Sequence, residues 1–385
     1  MATIQIPLSK LPQLGTTIFT EMSALARETG ALNLSQGFPD FPVSPDLVEL
    51  VGWYATEGHN QYAPMPGLPQ LREAIAQKFN YTYAIQVDAA SEITITAGAT
   101  EALFCAITAL VRQNDEVIIL EPAYDSYGPA VELQGGKPVY ISLNSTDFTP
   151  DWPAIEVAFS QNTKLIIINS PHNPTGSVWS KADMQQLEKL LAQHPECWVL
   201  SDEVYEHIIF DEQEHQSILR FPNLRQRSAA VFSFGKTFHA TGWKVGYVVA
   251  PPALTAEIRK IHQYLTFSVH TPTQFALAEY LAKPVHYTQL GTFYEQKRDV
   301  LVQELKESSF TPIASKGTYF QLVKIPEHVK GTDRQIAHGL TREYGIATIP
   351  LSPFYHNNFD PRMLRICFAK EETTLKKAGE LLRKV

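Results

Sequence analysis

The segment Ala229–Ala250, AAVFSFGKTFHATGWKVGYVVA, holds two apolar runs with a polar loop between them. AAVF reads as a buried strand and GYVVA as another, and the loop from Ser233 to Gly246 carries Lys236 one residue past Gly235. A lysine leaving a core strand costs free energy unless it reaches solvent or meets a partner. An ordinary exposed loop lysine is the plain reading, because strand ends often carry charge. A functional amine is the sharper one, and the surrounding pattern has to decide between them.

Working outward, seven short apolar runs follow one another: ITIT (93–96), VIIL (117–120), VYISL (139–143), LIIIN (165–169), WVLS (198–201), AAVFSF (229–234) and GYVVA (246–250). Helix-prone or amphipathic segments separate them. Continuous β-branched runs spaced by helices predict a mostly parallel sheet covered on both faces, a three-layer α/β/α arrangement. Beyond about residue 285 the pattern changes to a helix over 294–306, YFQLV, a helix over 333–344, MLRICFA and a last helix, which predicts a smaller α+β domain. The expected division is 1–45 as an N-terminal arm and part of the small domain, 46–284 as the large cofactor-binding domain, and 285–385 as the small C-terminal domain.

Composition narrows the partners. The 385 residues are 44% hydrophobic and 19% charged, with a net charge of −8, which argues against a nucleic-acid or anionic-membrane surface. Cys105, Cys197 and Cys367 sit in LFCAI, ECWVL and RICFA, without CxxC or metal spacing, so buried free thiols in a reducing compartment are expected and no metal site is. The start, MATIQIPLSKLPQ, has no apolar run of signal-peptide length, and no later run reaches membrane-spanning length. A cytoplasmic location is expected.

In an open α/β sheet, ligands collect beyond the carboxyl ends of the strands. After ITIT comes AGATEALFCAI, a glycine turn with Ala99 and Thr100 at the start of a helix, where amides and a hydroxyl suit an anion. After LIIIN comes SPHNPTG, an irregular loop presenting Asn173. WVLS is followed by Asp202, a carboxylate that needs a cation if it is buried. Ser233 and Lys236 follow AAVF. Each has a plainer reading: a threonine near a helix cap, an aspartate capping the next helix, a loop lysine. Together they match one ligand, a phosphorylated pyridine aldehyde, whose phosphate takes amides and hydroxyls, whose ring nitrogen takes an anion and whose aldehyde takes an amine. That ligand is pyridoxal 5′-phosphate.

The motifs NQYAPMPG, SPHNPTG, SDEVYE, SFGKTFHATGWKVG and LRICFAK, in this order, resemble those of the fold-type I, class I/II aminotransferases over nearly the whole chain. With the opening SQGFPDF, they are most similar to the branch of methionine, kynurenine and glutamine-phenylpyruvate aminotransferases. The resemblance implies that Lys236 bonds the cofactor's aldehyde carbon and then shuttles a proton, acting as nucleophile and base in turn. It implies that Asp202 faces the ring nitrogen, that Asn173 and Tyr205 bond the ring oxygen, and that Tyr124 stacks on the ring. Ala99, Thr100, Ser233 and Lys244 would hold the phosphate, with Tyr62 reaching it from a second subunit. Many relatives of this superfamily carry arginine where Lys244 stands. Arg365 and Gly37 would bind the substrate α-carboxylate. Arg365 alternates with Leu364 and Ile366, so a surface ion pair is its plainer reading. His172 and His239 are read as supporting residues.

Aspartate aminotransferases bring a second arginine from the partner subunit for a distal carboxylate. The matching segment here, TFSVHTPTQ (266–274), has none and offers Phe267, Val269 and His270. With Phe19 and Tyr124 they suggest an apolar, aromatic-rimmed pocket. The implied activity is transfer of the amino group of methionine, phenylalanine, tyrosine, glutamine or kynurenine to a 2-oxo acid, by a homodimer with shared sites. Two alternatives use the same residues: a pyridoxal-phosphate C–S β-lyase, and a non-catalytic protein that only binds the cofactor.

Overall fold

The computed structural model describes residues 7–385. A seven-stranded sheet forms its centre: β1 Ile93–Thr96, β2 Glu116–Glu121, β3 Lys137–Ser142, β4 Thr163–Asn169, β5 Trp198–Asp202, β6 Ser228–Ser233 and β7 Gly246–Val249. Their order is β1-β7-β6-β5-β4-β2-β3. The pairs β3–β2, β2–β4, β4–β5 and β5–β6 are parallel, while β7 runs antiparallel to both β6 and β1. Each strand falls within two residues of an apolar run, because a strand buried on both faces must be apolar along its length. The interior positions of β5 and β6, and those of β4 from Leu165 on, are buried throughout.

The reversed strand has a consequence for the site. Parallel strands deliver their carboxyl ends to one edge, and β7, running the other way, delivers its start. Gly246 therefore pairs with both Ser233 and Thr96. Lys244 and Val245, just before β7, join the residues that follow β1 and β6.

A second, antiparallel sheet takes the order Ile349–Pro350, Met363–Cys367, Phe320–Lys324, Thr311–Pro312. Helix Leu290–Leu305 packs on Glu372–Leu382, and Ile18–Thr29 packs on Asp333–Glu343. Leu32–Asn33 pairs in parallel with Ile346–Ala347 in a separate two-stranded sheet, and Leu34 O accepts from Cys367 N at 2.9 Å, so the N-terminal segment lies against the second sheet. Helix Leu290–Leu305 begins four residues before the expected 294, because Leu290 and Tyr294 bury the same face one turn apart. The cysteines Cys105, Cys197 and Cys367 are unpaired and buried. No helix among the described residues is long and apolar enough to cross a membrane.

Candidate active site

At the edge where β1, β2, β4, β5 and β6 end and β7 begins lies a cavity of ≈190 Å³. Its walls include Ala99, Thr100, Tyr124, Asn173, Asp202, Tyr205, Ser233, Lys236 and Lys244. These nine come from five strand-end connections dispersed over about 150 residues of sequence, brought to one edge by the sheet order.

One end is built for an anion. Helix Ala99–Leu110 starts at Gly98, whose φ of +77° is a left-handed conformation that favours glycine, and no side chain caps its first amides. A Cβ on Gly246 would lie 2.9 Å from Ala99 N and 2.7 Å from Phe232 O, so only glycine lets β7 approach the amides so closely. Lys244 Nζ stands 3.3 Å from where a Gly98 Cβ would be. Amides, the Thr100 and Ser233 hydroxyls and an ammonium thus converge, the donor set a phosphate monoester requires.

The floor is a buried carboxylate. Asp202 is 4% exposed and accepts from the Tyr127 hydroxyl at 2.7 Å and from Val204 N at 3.3 Å. Burial raises its pKa to about 6, with Tyr127 opposing the rise. No helix follows, so the capping alternative fails; Asn169 Nδ2 instead donates to the Asp202 carbonyl at 2.8 Å. Asn169 Oδ1 in turn accepts from Asn173 N at 2.8 Å, which ties the SPHNPTG loop to the end of β5.

Lys236 lies across the cavity. Its Nζ donates to the Tyr319 hydroxyl at 2.7 Å and to Gly37 O at 3.3 Å. Burial lowers its pKa to about 8, so an appreciable fraction is neutral amine near neutral pH. Tyr205 sits with its ring centroid 5.5 Å from that nitrogen, and burial holds its phenol well above the ordinary range.

Arg365 departs from the plain expectation of a surface position. Its strand is buried along its whole length, and the side chain is 1% exposed. The guanidinium lies 3.8 Å from the Phe320 ring centroid and 5.1 Å from that of Phe19. Nη1 donates to Asn173 Oδ1 at 2.7 Å and Nη2 to Ser35 O at 3.1 Å, while Nε is buried with no partner. Because Asn173 Oδ1 is engaged, its amide group is left to donate into the cavity. Burial lowers the Arg365 pKa to about 10.

Of the expected residues, Tyr62, Phe267, Val269, His270, Phe19, Gly37 and Arg365 are not in the lining of this cavity within the chain. Tyr62 is 82% exposed, packs edge-on against Phe267 with centroids 5.2 Å apart, and shares a separate surface depression with His270. Val269 is 8% exposed, packs against the chain's own core and also lines that depression. The sequence reading missed Tyr127 and Tyr319. Tyr127 lies in EPAYDSY, one helical turn past Tyr124, which was a usable signal. Tyr319 opens YFQLV and reads there as an apolar strand residue. His172 bonds Thr175 Oγ1 at 2.7 Å inside the core, and burial lowers its pKa to about 3, as for a supporting residue.

A sheet edge of this kind, with a buried lysine facing a buried aspartate beside an anion cradle, defines a pyridoxal-phosphate enzyme of the three-layer α/β class. Residues 29–382 match the family model for aminotransferases of class I and II. The chain belongs to that family, whose members use pyridoxal 5′-phosphate. It is 54% identical to the methionine aminotransferase of Escherichia coli, over 99% of this chain and 98% of that one. A kynurenine–oxoglutarate transaminase of Dictyostelium discoideum is 35% identical, over 98% and 96% of the two chains. Among solved structures, YbdL from Escherichia coli, reported with a methionine aminotransferase function, superposes with a TM-score of 0.97 at 54% identity, covering 99% of this chain and 100% of that one.

Proposed function

We propose that the chain transfers the amino group of an apolar or aromatic amino acid, methionine foremost, to a 2-oxo acid in two half-reactions at the Lys236 cavity. The observation that carries this reading is a buried Lys236 and Asp202 lining one cavity, with the buried Arg365 guanidinium joined to that lining through Asn173 and set among the Phe19 and Phe320 rings. Similarity to a methionine aminotransferase and to kynurenine transaminases supports the same substrate class.

Bound pyridoxal phosphate supplies an electron sink for the bonds at the substrate's α-carbon. The chain supplies the rest. Ala99, Thr100, Ser233 and Lys244 anchor the phosphate, and Asp202, held by Tyr127, keeps a negative charge beside the ring nitrogen. Asn173 and Tyr205 donate to the ring oxygen, and Tyr124 covers the ring. Arg365 and Gly37 fix the α-carboxylate, which places the α-hydrogen against Lys236 Nζ. Lys236 takes that proton and returns it on the other side of the transfer, a role suited to an amine whose pKa burial has brought to about 8. Phe19 and Tyr124 rim the side-chain pocket.

The exposed pair Tyr62 and Phe267, with His270, fits a homodimer in which each chain completes the other's site. We assign the 46–284 segment to cofactor binding and 285–385 with the N-terminal arm to the small domain, and place the protein in the cytoplasm, consistent with three unpaired cysteines.

The test is a panel of amino donors, each followed through a single half-reaction by cofactor absorbance and then challenged with an oxo acid. Methionine should convert the cofactor and the oxo acid should convert it back. Pyruvate and ammonia released from a cysteine conjugate without any acceptor, at a higher rate than transfer, would establish a C–S β-lyase instead. Cofactor binding with no half-reaction from any donor would establish a non-catalytic protein.

A further inference from the structure

We propose that Tyr319 is a positioning residue for the proton transfer, orienting the Lys236 amine so that its remaining tetrahedral direction faces the substrate's α-carbon. The inference rests on the aminotransferase reading above. It comes from hydrogen-bond accounting around one hydroxyl.

Tyr319 Oη has one proton, and the carbonyl oxygen of Gly37 at 2.5 Å accepts it, since a carbonyl has none to give. The tyrosine oxygen therefore faces Lys236 Nζ, at 2.7 Å, as an acceptor. Gly37 O is the second acceptor for the same nitrogen, at 3.3 Å. A neutral amine has two hydrogens and one lone pair. With both hydrogens committed to Tyr319 and Gly37, the lone pair occupies the one direction left. Protonated, the amine carries its third hydrogen along that same direction. Lys236 would thus take up and deliver a proton along one fixed line, with no rotation about its last carbon–nitrogen bond.

Tyr319 is itself immobile. It is fully buried, its ring meets Tyr205 edge-on at 5.1 Å and Tyr294 at 5.6 Å, and it immediately precedes the strand that starts with Phe320, the ring beneath Arg365. One short segment therefore places both the support under the carboxylate-binding guanidinium and the acceptor for the proton-carrying amine. Gly37 fits the same scheme, because a Cβ there would lie 2.8 Å from the Phe320 ring.

The variant Tyr319→Phe removes one oxygen and keeps the ring; Tyr319→Met, which also lacks the hydroxyl, stands in if the phenylalanine chain does not fold. Two readouts separate orientation from packing. In cofactor-free protein, the pH dependence of Lys236 modification by an amine-selective reagent, quantified on the Lys236 peptide, should move down by about one unit, because the ammonium loses an acceptor. In the loaded enzyme, the half-reaction with α-deuterated methionine should have a larger isotope effect than wild type and a rate lower by about tenfold or more, with little change in the concentration of methionine giving half-maximal rate. A Lys236 titration and an isotope effect both equal to wild type would overturn the assignment of Tyr319 while leaving the aminotransferase reading intact. Failure of that reading would have a different signature: wild-type protein that binds cofactor without any bond to Lys236.

Discussion

Replacing Asp202 by asparagine should make the cofactor-free chain more stable at neutral pH while disabling the enzyme. Asp202 is 4% exposed, and burial raises its pKa from 3.8 to about 6. A raised carboxyl pKa means that the folded chain holds the proton more tightly than the unfolded one. Below pH 3.8 both states are protonated and the residue costs nothing extra. As pH rises from 3.8 to about 6, the unfolded chain ionises first, and the folded chain carries a growing penalty that is complete above about 6. Two units correspond to about 3 kcal/mol. Asparagine keeps an acceptor for Tyr127 and carries no charge. The stability gain of Asp202→Asn over wild type should therefore grow from about 1 kcal/mol at pH 4.5 to about 3 kcal/mol at pH 7.5, measured by urea unfolding of protein stripped of cofactor. Turnover of the loaded variant should fall by at least about two powers of ten, because an electrostatic partner of the ring nitrogen is gone. A stability difference that does not change between the two pH values would show that Asp202 is not a buried, proton-linked charge, and the reasoning about the floor of the site would be wrong.

Three further outcomes are expected. Methionine and phenylalanine should exceed aspartate in kcat/KM by at least about 100-fold, or about 2.7 kcal/mol, because an apolar side chain gains from burial where a distal carboxylate finds no bidentate partner; equal values would mean that a cation from elsewhere enters the pocket. Arg365→Lys keeps a charge but loses the fork, so kcat/KM for methionine should drop by about 100-fold or more with cofactor affinity retained, and a drop below tenfold would remove Arg365 from the carboxylate site. Mixing Tyr62→Ala chains with Lys236→Ala chains should restore partial activity, since a mixed dimer then holds one site with neither lesion; no recovery from demonstrated heterodimers would place Tyr62 in its own chain's site.

The central sheet was legible because strands buried on both faces must be apolar from end to end, so ITIT, LIIIN and AAVF announce themselves without any knowledge of their neighbours. The polar residues just beyond them were legible for the same reason: Asn173, Asp202 and Lys236 stand where an apolar run stops. The reversed direction of β7 was not, because a strand's composition does not encode its polarity relative to the next. For Arg365 the plainer reading, a surface ion pair, fails: its alternation with Leu364 and Ile366 would mark a two-faced strand only if one face met water, and here both are covered, one by Phe19 and Phe320. Tyr127 and Tyr319 act through single hydroxyls whose partners lie 75 and 83 residues away, a relation that only the folded chain defines.

The claim on which everything else depends is that Lys236 is the amine that bonds pyridoxal phosphate. Reducing the loaded protein with borohydride, digesting it and mapping the phosphopyridoxyl label by mass spectrometry tests it directly. The label should fall on the peptide containing Lys236 and be absent from Lys236→Ala protein. A label on Lys244 or on any other lysine, or an unlabelled Lys236 peptide from fully loaded protein, would contradict it.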